Sequence, residues 1–78
     1  MNEKVYNDVM SGKSDNNIRF NDLRNLLLSC EFYERIKGDH FIYKRVDIPE
    51  RINIQPNGNK AKVYQVKQVR MIFEKYGL

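Results

Sequence analysis

The sequence contains a single histidine, His40, which directly follows Gly38 and Asp39 in the stretch "IKGDHFIY". Histidine is the side chain whose ordinary pKa lies closest to neutrality, so it is a natural general acid or base. A Gly-Asp pair suits a two-residue type II′ hairpin turn, because the first position of that turn requires a positive φ angle. We therefore predict that His40 begins a strand immediately after a tight turn. The alternative is a strand histidine that only hydrogen-bonds its neighbours.

RNA is a substrate that demands little beyond such a group. The 2′-hydroxyl of RNA can attack the adjacent phosphate, so one acid or base together with nearby cations could speed strand cleavage without a metal. The candidates for phosphate contacts lie beside the turn, in the loop after the third predicted strand, and in the last predicted helix: Lys37, Lys60, Lys62, Lys67 and Arg70.

Several other chemistries lack the residues that they need. One histidine and one cysteine cannot supply the three or four nitrogen and sulfur ligands of a zinc site, and no cofactor motif is present. The segment "SGKS" at residues 11–14 keeps only the tail of a P-loop, without its upstream glycine. No serine lies in a nucleophile elbow.

The charge is unevenly distributed along the chain. Residues 1–59 carry nine basic and nine acidic groups, whereas residues 60–78 carry five basic groups and one acidic group, so the whole net charge of +4 lies in the last nineteen residues. A basic segment of this kind suits a polyanion such as nucleic acid. An ordinary solvated helix face is the alternative.

The spacing of apolar residues predicts three helices and three strands. The helices are expected over residues 2–10 (between Asn2 and Gly12), 19–30 (capped by Asn21 or Asp22) and 64–77, and the strands over 32–37, 40–45 and 51–56. This order predicts an α+β domain in which a three-stranded antiparallel sheet carries its helices on one face.

Strand alternation predicts which side chains face the helices. If Ile42, Ile52 and Ile54 do so, then Phe41 and Tyr43 lie on the open face of the sheet. There they could stack on bases or pack against a protein partner, or they could simply shield the sheet.

Size and composition predict one small cytoplasmic domain. A chain of 78 residues has room for one modest core. The lone cysteine, Cys30, cannot form an internal disulfide, which favours a reducing compartment. No apolar run approaches the length of a membrane span, and the first residues lack the character of a signal peptide.

Two blocks resemble the HicA toxins of bacterial type II toxin–antitoxin systems. They are "LRNLLLSCEFYERIKGDHFIY" at 23–43 and "INIQPNGNKAKVYQVKQVRMIFEKYGL" at 52–78, and the likeness covers residues 20–78. It implies a fold similar to double-stranded-RNA-binding domains, preceded by an N-terminal helix and loop at 1–19, in a single HicA-like domain over 1–78. It also implies an mRNA interferase activity and a HicB-type antitoxin that covers the active site.

The resemblance places the family's catalytic histidine on His40 and its turn glycine on Gly38. Asp39 stands where many relatives have serine, and Phe41 where many have a second histidine. The leading hypothesis is a metal-independent endoribonuclease. The alternatives are a catalytically silent RNA- or protein-binding module and a purely structural interaction protein. For the second member of an acid/base pair, Asp39, Lys37 and Tyr43 all stay open.

Overall fold

The structure is a computed structural model that describes residues 2–78. Its elements are, in chain order, α1 (Glu3–Ser11), α2 (Phe20–Ser29), β1 (Tyr33–Lys37), β2 (His40–Arg45), β3 (Ile48–Ile54), β4 (Pro56–Asn57), β5 (Lys60–Ala61) and α3 (Val63–Tyr76). The first three strands form one antiparallel sheet in the order β1-β2-β3, and β4 and β5 form a separate two-stranded hairpin. The α+β class with a three-stranded antiparallel sheet is confirmed.

Helices α1 and α3 end as the sequence predicts. The Asn2 side chain caps α1 by accepting a hydrogen bond from the backbone N–H of Val5 at 3.2 Å. Gly12 follows α1 and Gly77 follows α3, both in the left-handed conformation that glycine adopts at helix ends. Since these signals are local, they can be read from the sequence.

Helix α2 lies within the predicted range of 19–30, but the predicted cap at Asn21 or Asp22 is wrong because both residues are inside the helix. The helix starts at Phe20, and Arg19 occupies the N-cap position without a side-chain hydrogen bond to the helix. The reason is tertiary: the Phe20 N–H donates to the Asn59 carbonyl at 2.9 Å. A backbone donor at the helix start is thereby satisfied by the β4–β5 hairpin instead of by a capping side chain.

The register of the sheet determines which residues share a face. Phe41 pairs with Ile36 and Ile54, and Tyr43 pairs with Glu34 and Ile52. Because directly opposed residues in an antiparallel sheet point to the same side, these six residues form the inner face. The prediction that Phe41 and Tyr43 lie on the open face is therefore wrong. Ile42, which was expected inside, lies on the other side opposite Arg35 and Asn53.

The outer face of the sheet is formed by the alternate residues of the three strands. These are Tyr33, Arg35 and Lys37 of β1, His40, Ile42 and Lys44 of β2, and Arg51 and Asn53 of β3. No helix covers this face, and all of these residues except Ile42 are exposed. The predicted open face is thus present, but it carries different residues.

The third strand is longer at its start than predicted, and the small hairpin was not predicted at all. β3 begins at Ile48 instead of Arg51, directly after a turn at Val46 and Asp47, and its pairing with β2 is irregular between Tyr43 and Arg45. The segment after β3 folds back on itself around Gly58, whose φ is +61°.

The core lies between the inner face of the sheet and the helices. Its fully buried apolar side chains come from all three helices and from β2 and β3: Val9, Leu23, Leu26, Leu27, Tyr43, Ile52, Ile54, Val66, Val69 and Phe73. Helix α3 packs on β3, and α1 packs on both α2 and α3. Over residues 2–78, none of the helices is long and apolar enough to cross a membrane.

Candidate active site

His40 lies at the start of β2, and its side chain is 48% exposed on the outer face. The preceding turn consists of Gly38 and Asp39, and Gly38 has a φ of +62°, as the predicted turn type requires. The turn and the paired strand together hold the backbone of His40 at the turn end of the central strand, where a long ligand can reach the imidazole.

Two amide side chains contact the two imidazole nitrogens. Nδ1 of His40 lies 3.3 Å from Oδ1 of Asn53, and Nε2 lies 3.1 Å from Nε2 of Gln55. Since an amide oxygen only accepts and an amide nitrogen only donates, this arrangement favours the neutral tautomer with its proton on Nδ1. The lone pair is then on Nε2, where it accepts a hydrogen bond from the Gln55 amide, and this neutral form is the one that a general base needs.

Charged groups surround this pair of contacts. The Lys62 ammonium donates to Oε1 of Gln55 at 3.4 Å, and Lys37 is the direct cross-strand partner of His40. A carboxylate oxygen of Asp39 lies 3.8 Å from Nε2 of His40. We call His40, Asp39, Asn53, Gln55 and Lys62 the His40 cluster. The cluster places a base, a carboxylate and the Lys62 ammonium together on an open surface, and Lys37 adds a second cation at its border.

Lys62 owes its position to the start of α3. It is the N-cap residue of that helix, and its backbone N–H donates to Oε1 of Gln65, which is a buried side chain. The positive end of the helix dipole adds to the charge of a cation placed there. The cluster therefore depends on both the sheet and the last helix.

Of the predicted phosphate contacts, only Lys37 and Lys62 lie at the His40 cluster. Lys60 is exposed on β5 and lines a depression of about 360 Å³ on the side of α1. Lys67 is exposed on α3. Arg70 forms two hydrogen bonds to the Asp15 carboxylate, at 2.7 and 3.0 Å, so its role is to hold the fold together and not to bind a phosphate.

Both aromatic residues that were expected to contact bases belong to the core side. Tyr43 is completely buried, and its hydroxyl donates to Oε2 of Glu34 at 2.7 Å. Burial and that carboxylate raise the pKa of the Tyr43 hydroxyl, so Tyr43 is also wrong as the second acid or base. Phe41 is half-buried and packs edge-to-face on Phe20, with ring centroids 4.8 Å apart.

Asn53 and Gln55 are the site residues that the sequence analysis did not single out. The alternation in "RINIQP" already places them on the face opposite Ile52 and Ile54. Their proximity to His40 follows from the pairing of Ile42 with Asn53, which depends on where β3 begins. The alternation is visible in the sequence, but the contact with His40 can be predicted only with the correct pairing of β2 and β3.

No other chemistry competes with this cluster in the described part of the chain. A depression of about 530 Å³ lies at the other end of the sheet, lined by Phe32, Tyr33 and Val46 among others, and does not reach His40. Residues 2–78 contain no group of three His, Cys, Asp or Glu side chains that could hold a metal ion.

Comparison with protein-family models, curated proteins and solved structures finds no match.

Proposed function

We propose that the chain is the toxin of a type II toxin–antitoxin pair, an mRNA interferase of the HicA type with a fold similar to double-stranded-RNA-binding domains. The resemblance of residues 20–78 to HicA toxins supports this, and so does the geometry at the histidine that the resemblance singles out. The observation that carries the proposal is the half-exposed imidazole of His40, whose two nitrogens contact Asn53 and Gln55, with Lys62 bonded to Gln55.

In the proposed reaction, Nε2 of His40 removes the proton from the 2′-hydroxyl of the bound ribose. The 2′-oxygen forms a bond to the adjacent phosphorus, and the bond from phosphorus to the 5′-oxygen of the next nucleotide breaks. The products are a 2′,3′-cyclic phosphate and a 5′-hydroxyl. The proton on the imidazolium can then pass to the departing 5′-oxygen, so that one group serves both proton transfers.

The neighbours of His40 supply the remaining requirements. Lys62 and Lys37 lie where they can offset the extra negative charge on the phosphoryl oxygens in the transition state. Asn53 keeps the base in the tautomer with its lone pair on Nε2, where the ribose hydroxyl takes the place of the Gln55 amide, and Asp39 attracts the imidazolium that forms after proton uptake. With Tyr43 in the core, Asp39 and Lys37 are the two residues left that could assist the proton transfer.

The proposed partners are mRNA and a HicB-type antitoxin, and the proposed location is the cytoplasm, where mRNA is translated. An antitoxin that covers His40 would block access to Nε2 without altering the fold. A reading frame for a HicB-like protein directly beside the gene would support this part of the proposal. Co-expression of its product should then relieve growth arrest that the toxin causes.

Cleavage of a defined RNA tests the chemistry. The purified protein should cut single-stranded RNA in excess EDTA and should leave a copy intact in which the ribose at the cut carries no 2′-hydroxyl. His40→Ala should lower the rate about 100- to 10,000-fold, the usual contribution of a general acid or base. The products should be separated on a gel and their ends identified as cyclic phosphate and hydroxyl.

Lys13→Ala is a matched control, because Lys13 is exposed and lies outside the His40 cluster. It should cut at the wild-type rate. Equal rates for wild type and His40→Ala would refute the mechanism. Binding of RNA by wild type without any cleavage would favour the catalytically silent module instead.

A further inference from the structure

The outer face of the sheet extends well beyond the His40 cluster and is strongly basic. At the end away from the turn it carries one cation from each strand, namely Arg35, Lys44 and Arg51. Five residues surround a depression of about 110 Å³ there, together with Glu34: Tyr33, Arg35, Ile42, Lys44 and Arg51. We call these five residues the outer basic face.

The cations of the outer basic face are not neutralised by the protein itself. Among residues 2–78, Arg35, Lys44 and Arg51 form no ion pair, whereas Arg24, Arg45, Arg70 and Lys75 each pair with a carboxylate. The three unpaired cations lie on strands whose backbones are about 5 Å apart, and together they form a local positive potential that attracts a polyanion.

Glu34 also lines the depression, but it belongs to the inner face and its carboxylate is paired with Arg24, and the other acidic groups near this surface lie at its ends. Asp39 lies in the turn before His40, and Asp47 lies in the turn after β2, where Arg45 neutralises it at 2.9 Å. The middle of the face therefore has one sign of charge, so its complement is a ligand with repeated negative charges.

Tyr33 and Ile42 give this surface an apolar component. Tyr33 is 76% exposed, and it is the cross-strand partner of Lys44. Ile42 lies between Arg35 and Asn53 across the strands and is half-buried. An exposed aromatic ring among unpaired cations is the combination by which single-stranded nucleic acid is held, since bases stack on the ring and phosphates meet the cations.

The outer basic face is continuous with the His40 cluster. Lys44 follows His40 by four residues on the same strand and the same face, a distance of about 13 Å along β2. An RNA strand with its scissile phosphate at His40 must continue in both directions, and one of them leads over this surface.

We propose that the outer basic face binds the single-stranded RNA that continues beyond the scissile phosphate, with Arg35, Lys44 and Arg51 on phosphates and Tyr33 stacked on a base. This inference rests on the proposed ribonuclease function for the placement of the scissile phosphate, but it concerns binding and not catalysis. It assigns substrate grip to residues outside the His40 cluster.

The test measures RNA binding without cleavage. The full chain with His40→Ala is titrated against a fluorescent single-stranded RNA of about 12 nucleotides, within the range of single-strand sites, and the Kd is followed by anisotropy at several salt concentrations. Adding Lys44→Gln and Arg51→Gln should raise the Kd about 10-fold at moderate salt. It should also reduce the slope of log K against log salt by about 1.4, because each lost phosphate contact on a single strand removes about 0.7.

The matched control removes the same charge from another surface. Lys4→Gln with Lys13→Gln also removes two exposed positive charges, and it should leave the Kd within about twofold. Tyr33→Ala should weaken binding, whereas Tyr33→Phe should not, because stacking needs only the ring. Photocrosslinking of wild type to RNA that contains 4-thiouridine should label the peptide with Tyr33, a readout that needs no variant.

Equal weakening by both pairs of substitutions would overturn the proposal, since RNA would then respond to total charge alone. An unchanged Kd for RNA in the variant with both Lys44→Gln and Arg51→Gln would overturn it too. This holds even if the same variant lost binding to an acidic protein partner. Failure of the wild-type protein to cleave RNA refutes the catalytic proposal and not this one, because binding is measured separately.

Discussion

Replacing Tyr43 by phenylalanine removes one buried hydroxyl and changes little else in the core. The hydroxyl donates to Glu34, whose carboxylate also accepts two hydrogen bonds from the Arg24 guanidinium, at 2.6 and 2.8 Å. The phenylalanine ring fills the same space, so no cavity forms. The substitution therefore isolates one charge-assisted hydrogen bond between β2 and β1.

The expected loss of stability is about 2 kcal/mol. A hydrogen bond to a charged group contributes about 1.5–3 kcal/mol to stability, and Glu34 is only 13% exposed, so water can replace the hydroxyl only in part. The carboxylate keeps its bonds to Arg24, which limits the loss to a single interaction. For a domain of this size, about 2 kcal/mol lowers the Tm by roughly 8–16 °C.

The pH dependence of the loss provides a second readout. Arg24 most of all, and Tyr43 in addition, lower the pKa of Glu34 below its usual 4.5 against the opposing effect of burial. A carboxylate whose pKa is lower in the folded state stabilises the fold above the unfolded pKa, and this stabilisation disappears as the pH falls through the folded value. The difference between wild type and Tyr43→Phe should therefore be complete near neutral pH and should shrink below about pH 4.5.

Urea unfolding followed by circular dichroism measures both quantities. Tyr33→Phe is the matched control, because the Tyr33 side chain is mostly exposed and the loss of its hydroxyl should change the free energy of unfolding by less than about 0.5 kcal/mol. A loss in Tyr43→Phe as small as that of the control, or a loss that stays constant into the acid range, would refute the assigned hydrogen bond.

Two further predictions concern the turn and the acid range. Gly38→Ala and Gly58→Ala should each lower the free energy of unfolding by about 1–2 kcal/mol, because both glycines have φ near +60° and an added Cβ would meet no atom within 4 Å. Thermal unfolding should show equal losses of stability, while only Gly38→Ala should slow RNA cleavage. Equal slowing by both substitutions would count against the turn as the support of His40. Lys75 and then Tyr76 lower the pKa of Glu50 to about 2. The stabilising contribution of Glu50 is therefore present above about pH 4.5 and is lost as the pH falls towards 2. Glu50→Gln should make the Tm less dependent on pH in the acid range, and an unchanged dependence of Tm on pH would contradict this.

The elements with local signals could be predicted from the sequence. Gly12 and Gly77 end helices, Gly38 and Asp39 form a hairpin turn, and the apolar stripe of the last helix is buried at Val66, Val69 and Phe73. Each of these depends on residues a few positions apart, so tertiary contacts do not override them.

The facing of β2 could not be predicted from the centre of the strand, where Phe41, Ile42 and Tyr43 form a continuous apolar run. This run alone fits either orientation, although His40 and Lys44 share the face of Ile42. On the buried side, the Tyr43 hydroxyl finds a partner in Glu34, which is itself paired with Arg24. Arg24 and Glu34 are ten residues apart in the sequence. A buried tyrosine needs such a partner, and alternation along one strand does not reveal it.

The amides of the candidate site depend on register in the same way. Asn53 and Gln55 meet His40 only because β3 starts at Ile48 and pairs Asn53 with Ile42. A strand that began at Arg51, as the sequence suggested, leaves that pairing undetermined. The pairing between strands therefore explains both the wrong prediction for the facing of β2 and the absence of Asn53 and Gln55 from the predicted site.

Arg70 links helices that are far apart in the sequence. Its guanidinium donates to the Val9 carbonyl at 2.9 Å, across 61 positions, and the same group holds Asp15 in the loop that follows. A nine-residue helix is marginal on its own in water, and this one has no basic residue in its last turn, so a side chain from α3 takes that role. The C-terminal end of helix α1 is therefore stabilised by a contact with α3 that its own sequence does not provide.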